Sequence, residues 1–333
     1  MTRRSAAAVA HPNIALVKYW GKREGVGNYP AVPSLSVTLA GMRTETRVTF
    51  DDALAADRVV LNGAPLEGEG RARAAALLDR VRSAAKLGAF ADVVSRNDFP
   101  TASGLASSAS GFAALAVAAS RAADLDLDAE RLSDLARRSS ASAARSVFGG
   151  FVELDAGPEH PRGDEVCAAR PIALAHPIDA AILVCVTTEE SKSVGSTDGM
   201  GTTRDRSPYY AAWLAHAPQL FAEARVALVT GDFTALGEVT ERSALAMHAS
   251  ALAAGVVYMR GATLDALAAT KELRARGIGA YATMDAGPHV KVLVRGADVE
   301  AARAHLAAVP GVLRVIVAKP GPAARVVDAM EGT

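Results

Sequence analysis

The chain has 333 residues, with 36 lysines and arginines balanced by 36 aspartates and glutamates, and 50% of it is hydrophobic. A chain of this size and composition buries a large core and divides into two domains, and without a clustered basic excess it gives no electrostatic case for nucleic acid or an anionic membrane surface. The expected partner is therefore a small molecule; the two cysteines, Cys167 and Cys185, lack metal-ligand spacing and suit a reducing, cytoplasmic setting, and no run approaches 18 clean apolar residues.

Residues 8–20 read as one buried strand carrying Lys18, Tyr19 and Trp20 at its end, and His11-Pro12 stops the N-terminal apolar run before a secretory segment forms. A lysine entering an interior needs an anionic partner or gives up its proton; the alternative is an edge-strand lysine whose stem snorkels. Turn chemistry at 27–33 leads into two alternating runs, 34–40 and 44–50, joined through Gly41. They predict a hairpin with one wet face. A short strand over 55–61 closes at Asn62-Gly63, and the arginine- and alanine-rich run 69–86 predicts an amphipathic helix whose arginines form a solvated face.

A strand over 91–95 runs into the small-residue loop 100–111, PTASGLASSASG. Small residues let the backbone approach an anion, the first turn of the following helix leaves N–H groups unsatisfied, and serine hydroxyls donate to phosphate or ligate a cation. The loop matches neither the P-loop nor the dinucleotide fingerprint, and taken alone it reads more readily as an ordinary helix entry with close packing. A nearly all-small apolar helix follows over 112–123 and a second over 128–138. Within 139–151, serines and alanines lead to a single arginine, Arg145, before Gly149-Gly150 returns the chain to a strand. Its guanidinium either holds a carboxylate through two parallel hydrogen bonds or caps carbonyls at a helix end.

The β-rich run 180–187 places the domain boundary just before it, giving domains 1–179 and 180–333. The polar run 188–203 either closes over a ligand or is an ordinary surface loop. Helices are predicted over 206–229, 232–250 and 257–276, with His248 on a helix face. Two apolar strands then surround Asp285, which either caps its glycine–proline turn or serves as a base or charge-positioning group beside an attacking hydroxyl. A helix at 298–307 and a strand at 312–318 complete a strand, strand, helix, strand pattern of α+β type. No histidine pair has the i, i+4 spacing of a helical zinc site, and no Gly-x-Ser-x-Gly elbow is present.

Taken in order, NIALVKYWGK at 13–22, FPTASGLASSA at 99–109, SASAARSVFGG at 140–150, STDGM at 196–200 and DAGP at 285–288 resemble the GHMP kinase superfamily and, within it, the diphosphomevalonate decarboxylases. The resemblance covers nearly the whole chain. It implies an α+β GHMP kinase fold of two domains, a ribosomal protein S5 domain 2-like N-terminal domain and a ferredoxin-like C-terminal domain, with the active site in the cleft between them. It also implies an ATP-dependent reaction that phosphorylates the 3-hydroxyl of mevalonate 5-diphosphate and then releases phosphate and carbon dioxide to give isopentenyl diphosphate. The alternatives are decarboxylation of mevalonate 5-phosphate, a mevalonate 3-kinase, and a silent ligand-binding homologue.

By resemblance, Asp285 sits beside the 3-hydroxyl, Lys18 neutralises charge near the same oxygen, and Arg145 holds the substrate carboxylate. Tyr19, Lys22, Ser140, Ser142 and Ser196 would contact substrate or phosphate, and Met200 would wall the substrate methyl. Ser103, Gly104, Leu105, Ala106, Ser107 and Ser108 would hold the ATP phosphates, with Mg²⁺ at Ser107 and Ser108 through those phosphates. A homodimer is expected. The chain departs from the family pattern at His289, where asparagine is common, at Ser139 and Ala141, which replace glycines, and at Ala31-Val32, which replace a more polar pair.

Overall fold

A proline has a fixed φ and no N–H to give to a sheet, so Pro12 divides the N-terminal apolar run. The computed structural model describes residues 3–25, 27–99, 107–176, 178–190 and 194–330. Its first part comprises β1 (Arg3–Ala10), β2 (Asn13–Val17), β3 (Ser34–Thr38), β4 (Thr44–Asp51), β5 (Arg58–Leu61), β6 (Ala64–Pro65), α1 (Gly68–Ala85), β7 (Phe90–Asn97), α2 (Ser107–Ala122), α3 (Ala129–Ser139), α4 (Ala143–Ser146), β8 (Phe151–Leu154) and β9 (Arg170–Pro171). The second comprises β10 (Ala180–Val186), α5 (Ser196–Arg206), α6 (Tyr210–Thr230), α7 (Phe233–Ala253), α8 (Gly261–Ala275), β11 (Ala280–Met284), β12 (Val290–Arg295), α9 (Val299–Ala307), β13 (Arg314–Ala318) and β14 (Arg325–Val327).

One sheet has the order β14-β1-β4-β7-β5-β6, antiparallel except where β5 runs parallel to β7. Its core is filled by Val48, Phe50 and Val93 of the strands with Leu77 and Leu78 of α1 and the small residues of α2. Ala113, Ala114, Ala116, Ala118 and Ala119 are fully buried, which lets α2 lie close against its neighbours. Strands β10 to β13 form an antiparallel sheet of order β11-β12-β10-β13, and with the helices between β10 and β11 and α9 between β12 and β13 this is the ferredoxin-like arrangement expected. The third sheet, β2-β3-β8-β9, presses Ile14, Leu16 and Leu35 against Leu220 of α6 and Leu236 of α7. Through that cluster the two halves of the chain share one apolar core. The last strand, β14, returns to pair with β1, with Val9 opposite Arg325.

Several expectations are corrected. The strand expected over 8–20 is two strands in different sheets, parted at His11-Pro12. The hairpin expected from 34–40 and 44–50 does not form: β3 pairs with β2 and β8, whereas β4 pairs with β1 and β7. Nor is β3 wet on one face, since all its residues are buried. Its alternating Ser34 and Ser36 accept hydrogen bonds from the buried Arg145, so polarity that reads as a solvent face is the lining of an internal charge. The polar run 188–203, read as a loop, contains the first turns of α5. Few apolar residues mark it as helical, and what seats it is close approach: a Cβ on Gly199 would lie 2.2 Å from the Tyr258 hydroxyl and 3.1 Å from the Trp20 ring.

Gly199→Ala therefore forces α5 off two rigid rings, and its urea midpoint should fall with unchanged m, by about 1–3 kcal/mol of stability. An unchanged midpoint would show that α5 is not seated there.

Candidate active site

Strand β2 ends at Val17 inside the shared core, and Lys18 follows at 1% exposure, too deep to snorkel. An ammonium there requires an anion. The Lys18 Nζ donates to Asp285 Oδ1 at 2.7 Å and to the Ala15 carbonyl at 2.8 Å. Asp285 lies in the turn between β11 and β12, and the same hairpin supplies a second lysine: Lys291 Nζ is 3.2 Å from Asp285 Oδ2. The sequence reading missed Lys291, although a lone lysine in the otherwise apolar Val290–Arg295 strand is a signal that a charge partner must be near.

About 25% of the Asp285 side chain is exposed, on the cavity side. Burial by itself would raise its carboxyl pKa, but Lys18 and Lys291 outweigh that and hold it well below the usual carboxylate range. For Lys18 the balance is reversed, and burial outweighs the pairing. Burial pushes it down to about 8 against the opposing pull of Asp285.

Arg145 comes from the short helix α4 and is 2% exposed. Its Nη1 donates to Ser34 Oγ at 2.7 Å, its Nε to Ser36 Oγ at 3.0 Å, and its Nη2 faces Asn13 Oδ1 at 3.5 Å. Asn13 is itself fixed by donating to Ser142 O and Ser146 Oγ. These are side-chain partners, so the alternative of an arginine capping carbonyls falls away. No acidic side chain among the described residues pairs with Arg145; burial lowers its pKa to about 10, and it stays charged at neutral pH.

Asp285, Lys18 and Arg145 line one cavity of about 320 Å³. Tyr19, Lys22, Ser140, Ser142, Ser196 and Met200 line it too, as do Ser107 and Ser108 in the first turn of α2. The structure therefore gathers every described residue that the resemblance assigned to the site. Ser103, Gly104, Leu105 and Ala106 lie outside the described residues. The Tyr19 hydroxyl is buried with no hydrogen-bond partner among the described residues, an orphan group facing the site. Lys22 Nζ donates to Thr197 Oγ1 at 3.2 Å, joining the stretch after β2 to α5.

Arg71 and Arg80 of α1 are exposed as expected, but Glu69 and Arg73 of the same helix line the cavity. Their side chains are 3.5 Å apart, and the Arg73 guanidinium lies 5.3 Å from the Phe112 ring centroid. Helical periodicity marks which face is apolar but not what stands opposite the polar one. His248, expected on a helix face, is buried behind the cavity beside Tyr258, and burial with Lys18 nearby pushes it down to about 4. His289 is also buried, accepts from the Thr187 N–H at 3.2 Å, and is pushed down to about 4 by burial and Lys291. Both rings are neutral at physiological pH.

Lys18, Lys22, Arg73 and Arg145 face Glu69, Asp198 and Asp285 across the cavity, an excess of positive charge suited to a polyanion. Among the described residues no group of three or more His, Cys, Asp or Glu is placed to hold a metal ion.

Comparison with known proteins agrees with this geometry. Residues 10–169 match the diphosphomevalonate decarboxylase-like N-terminal domain, and residues 182–314 match the mevalonate 5-diphosphate decarboxylase C-terminal domain. The chain is 34% identical over 327 residues to a diphosphomevalonate decarboxylase of Aspergillus fumigatus, covering 92% of this chain and 80% of that one. It is 35% identical over 290 residues to the phosphomevalonate decarboxylase of Haloferax volcanii, covering 86% and 87%. A relative solved in complex with MVAPP, AMPPCP and magnesium superposes with a TM-score of 0.90 at 39% identity, covering 98% of this chain and 100% of that one. A carboxylate between two lysines, an unpaired guanidinium beside it, and matches along both halves have one explanation: the chain belongs to the diphosphomevalonate decarboxylase family.

Proposed function

We propose that this protein uses ATP to convert mevalonate 5-diphosphate to isopentenyl diphosphate, phosphorylating the 3-hydroxyl and then releasing phosphate and carbon dioxide. One observation carries the reading. Asp285, held ionised by two lysines, shares its cavity with Arg145, a buried cation that has no acidic partner among the described residues. A hydroxyl kinase alone has use for the first group; a substrate carboxylate gives the second its counterion.

Asp285 accepts a hydrogen bond from the 3-hydroxyl and aims the oxygen at the γ-phosphoryl group. Its two lysines make it a weak base, so it takes the proton late, once the O–P bond has formed and the oxygen has become acidic. Lys18 stabilises the negative charge gathering on the transferred group. Three of the five guanidinium N–H donors of Arg145 are directed at Ser34, Ser36 and Asn13, leaving two for the substrate carboxylate. That grip aligns the C–CO₂⁻ bond with the C3–O bond. When phosphate leaves with the C–O electron pair, the C–CO₂⁻ electrons form the new double bond and carbon dioxide departs. Tyr19, Lys22, Ser140, Ser142 and Ser196 bind the substrate's phosphates and hydroxyls, and Met200 packs on its methyl group.

The small-residue segment through Ser107 and Ser108 serves as the nucleotide cradle, with the first-turn N–H groups of α2 and the two hydroxyls facing the ATP phosphates. The donor set fits Mg²⁺ only as part of the nucleotide, since serine hydroxyls are oxygen ligands and no described cluster of carboxylates or imidazoles is present. Bound there, the metal ion would neutralise phosphate charge. The same reading divides the chain near residue 180, places the protein in the cytoplasm and pairs it as a homodimer, which light scattering of the purified chain tests.

Similarity to a phosphomevalonate decarboxylase makes the 5-phosphate the competing substrate. With ATP and Mg²⁺ the purified protein should release ADP and carbon dioxide in equal amounts from mevalonate 5-diphosphate and far less from the 5-phosphate or mevalonate. ADP without carbon dioxide would make it a 3-kinase. Asp285→Asn and Arg145→Gln should each lower kcat on the order of 10²–10³-fold, the effect of removing one preorganised group from a transition-state site. Lys18 gives the pH dependence: in the free enzyme it loses its proton as pH rises through about 8, so kcat/KM should fall on an alkaline limb there. Bound polyanions hold the proton on, and the corresponding limb in kcat should lie higher. A kcat/KM profile flat to about pH 9.5 would remove the Lys18 charge from the mechanism.

A further inference from the structure

Lys291 reaches the site without facing it. It lies within β12, opposite Val184 of β10 and Thr283 of β11, and is fully buried. An ammonium at the centre of a sheet is unfavourable by several kcal/mol unless an anion is held against it. That anion is Asp285 Oδ2 at 3.2 Å, whereas Lys18 bonds Oδ1 at 2.7 Å. The two lysines differ in access: Lys18 lines the cavity and Lys291 does not. Lys18 can therefore turn toward an oxygen of a bound ligand. Lys291 has no route to one.

We propose, resting on the decarboxylase reading above, that Lys291 is a positioning residue that holds the Asp285 carboxylate in place and ionised while Lys18 engages the group being transferred to the 3-oxygen. Without a second cation, Lys18 would have to leave Asp285 unpaired at the moment the hydroxyl must be aimed. With Lys291 on the other oxygen, the carboxylate plane stays fixed and its charge stays compensated through phosphoryl transfer. Among the described residues no other cation is in ion-pair contact with Asp285. Facing Asp285 are Lys18 after β2, Lys291 of β12, Arg145 of α4 at longer range, His248 of α7 and His289 of its own turn, and both histidines are neutral.

The test is Lys291→Met in the full-length protein, with Lys291→Gln as a second variant of similar volume that keeps a donor. Steady-state turnover of mevalonate 5-diphosphate with ATP and Mg²⁺ is measured across pH, and folding is checked by urea unfolding. Expected in Lys291→Met is a kcat lower by about 10²-fold, the size of effect seen when one preorganised group is lost, with KM for both substrates within about threefold. Asp285 loses one of its cations and its pKa rises toward the ordinary carboxylate range, so kcat should begin to fall on the acid side at a pH where wild type is still flat. Lys291→Gln should show the same shift with a smaller loss of kcat, and it carries the test alone where the methionine variant does not fold. A folded variant whose acid limb and kcat match wild type, or whose only change is in KM, overturns the role of Lys291 and leaves the decarboxylase reading standing. Wild-type protein that releases no ADP from the diphosphate overturns both.

Discussion

An ionised carboxylate gripped by two buried ammonium groups sets the terms for the rest of this molecule. Lys18 follows β2 and Asp285 follows β11, 267 residues later. The Ala15 carbonyl accepts from both Lys18 Nζ and Thr283 Oγ1, so the strand ends that carry the pair are tied at one more point. The contact exists only when the third sheet has packed on α6 and α7, because the apolar cluster of Ile14, Leu16, Leu220 and Leu236 holds the two strands in place. Losing one partner of such a pair typically costs about 3–5 kcal/mol, whereas exchanging a whole buried ion pair for apolar side chains is often neutral or stabilising. Stability alone therefore does not account for charges at this depth, whereas the proposed reaction uses them.

Arg145 applies the same logic with a different anchor. Its guanidinium is fixed by uncharged oxygens of Ser34, Ser36 and Asn13, so its position is set while its charge is left for a ligand. A carboxylate in their place would satisfy Arg145 and remove it from chemistry. Strand β3 thus does two things through one alternation: Leu35 and Val37 enter the shared core, and Ser34 and Ser36 hold the guanidinium. Preorganised charge of this kind needs no reorganisation during reaction, which is why it is worth more than the same charge in water.

The parts of the site legible in the sequence are those whose residue type is improbable where it stands. Lys18 after an apolar run, Arg145 in a stretch of serines and alanines, and Asp285 between two apolar strands each stood out, and the structure brings them into one cavity. Lys291 has the same improbability, but inside the apolar strand β12 it carries no neighbouring turn or polar run to set it apart. Glu69 and Arg73 could not be found this way, since charged residues on an exposed-looking helix face are ordinary and only the tertiary arrangement turns that face to the cavity. Strand and helix positions were largely recoverable from period and turn chemistry. Pairing was not: β3 and β4 are near in sequence and joined by a glycine turn, yet each is pulled into a different sheet by burial on both faces. The helix α5 was hidden for a related reason, because Gly199 and Gly201 weaken helix propensity and the stabilising contact is with Tyr258 and Trp20.

Holding Asp285 so far on the acidic side has a consequence for the proposed reaction. Two lysines make the carboxylate a poor proton acceptor, so little of the rate can come from deprotonating the hydroxyl in advance. A loose phosphoryl-transfer transition state demands little of a base and much of alignment, which is what a carboxylate hydrogen-bonded at one oxygen and ion-paired at the other supplies. A carboxylate held this acidic passes the proton on to the more basic transferred phosphate, and its restored negative charge then stands close to the newly formed phosphate ester. Like charges at that range oppose one another, and the repulsion favours departure of phosphate from C3, the step on which loss of carbon dioxide depends. In the proposed reaction Lys18 would then counter charge on the leaving group while Arg145 would keep the carboxylate aligned. An acidic aspartate is in this way suited to both halves of the reaction, first by aiming the oxygen and then by making its phosphate a better leaving group.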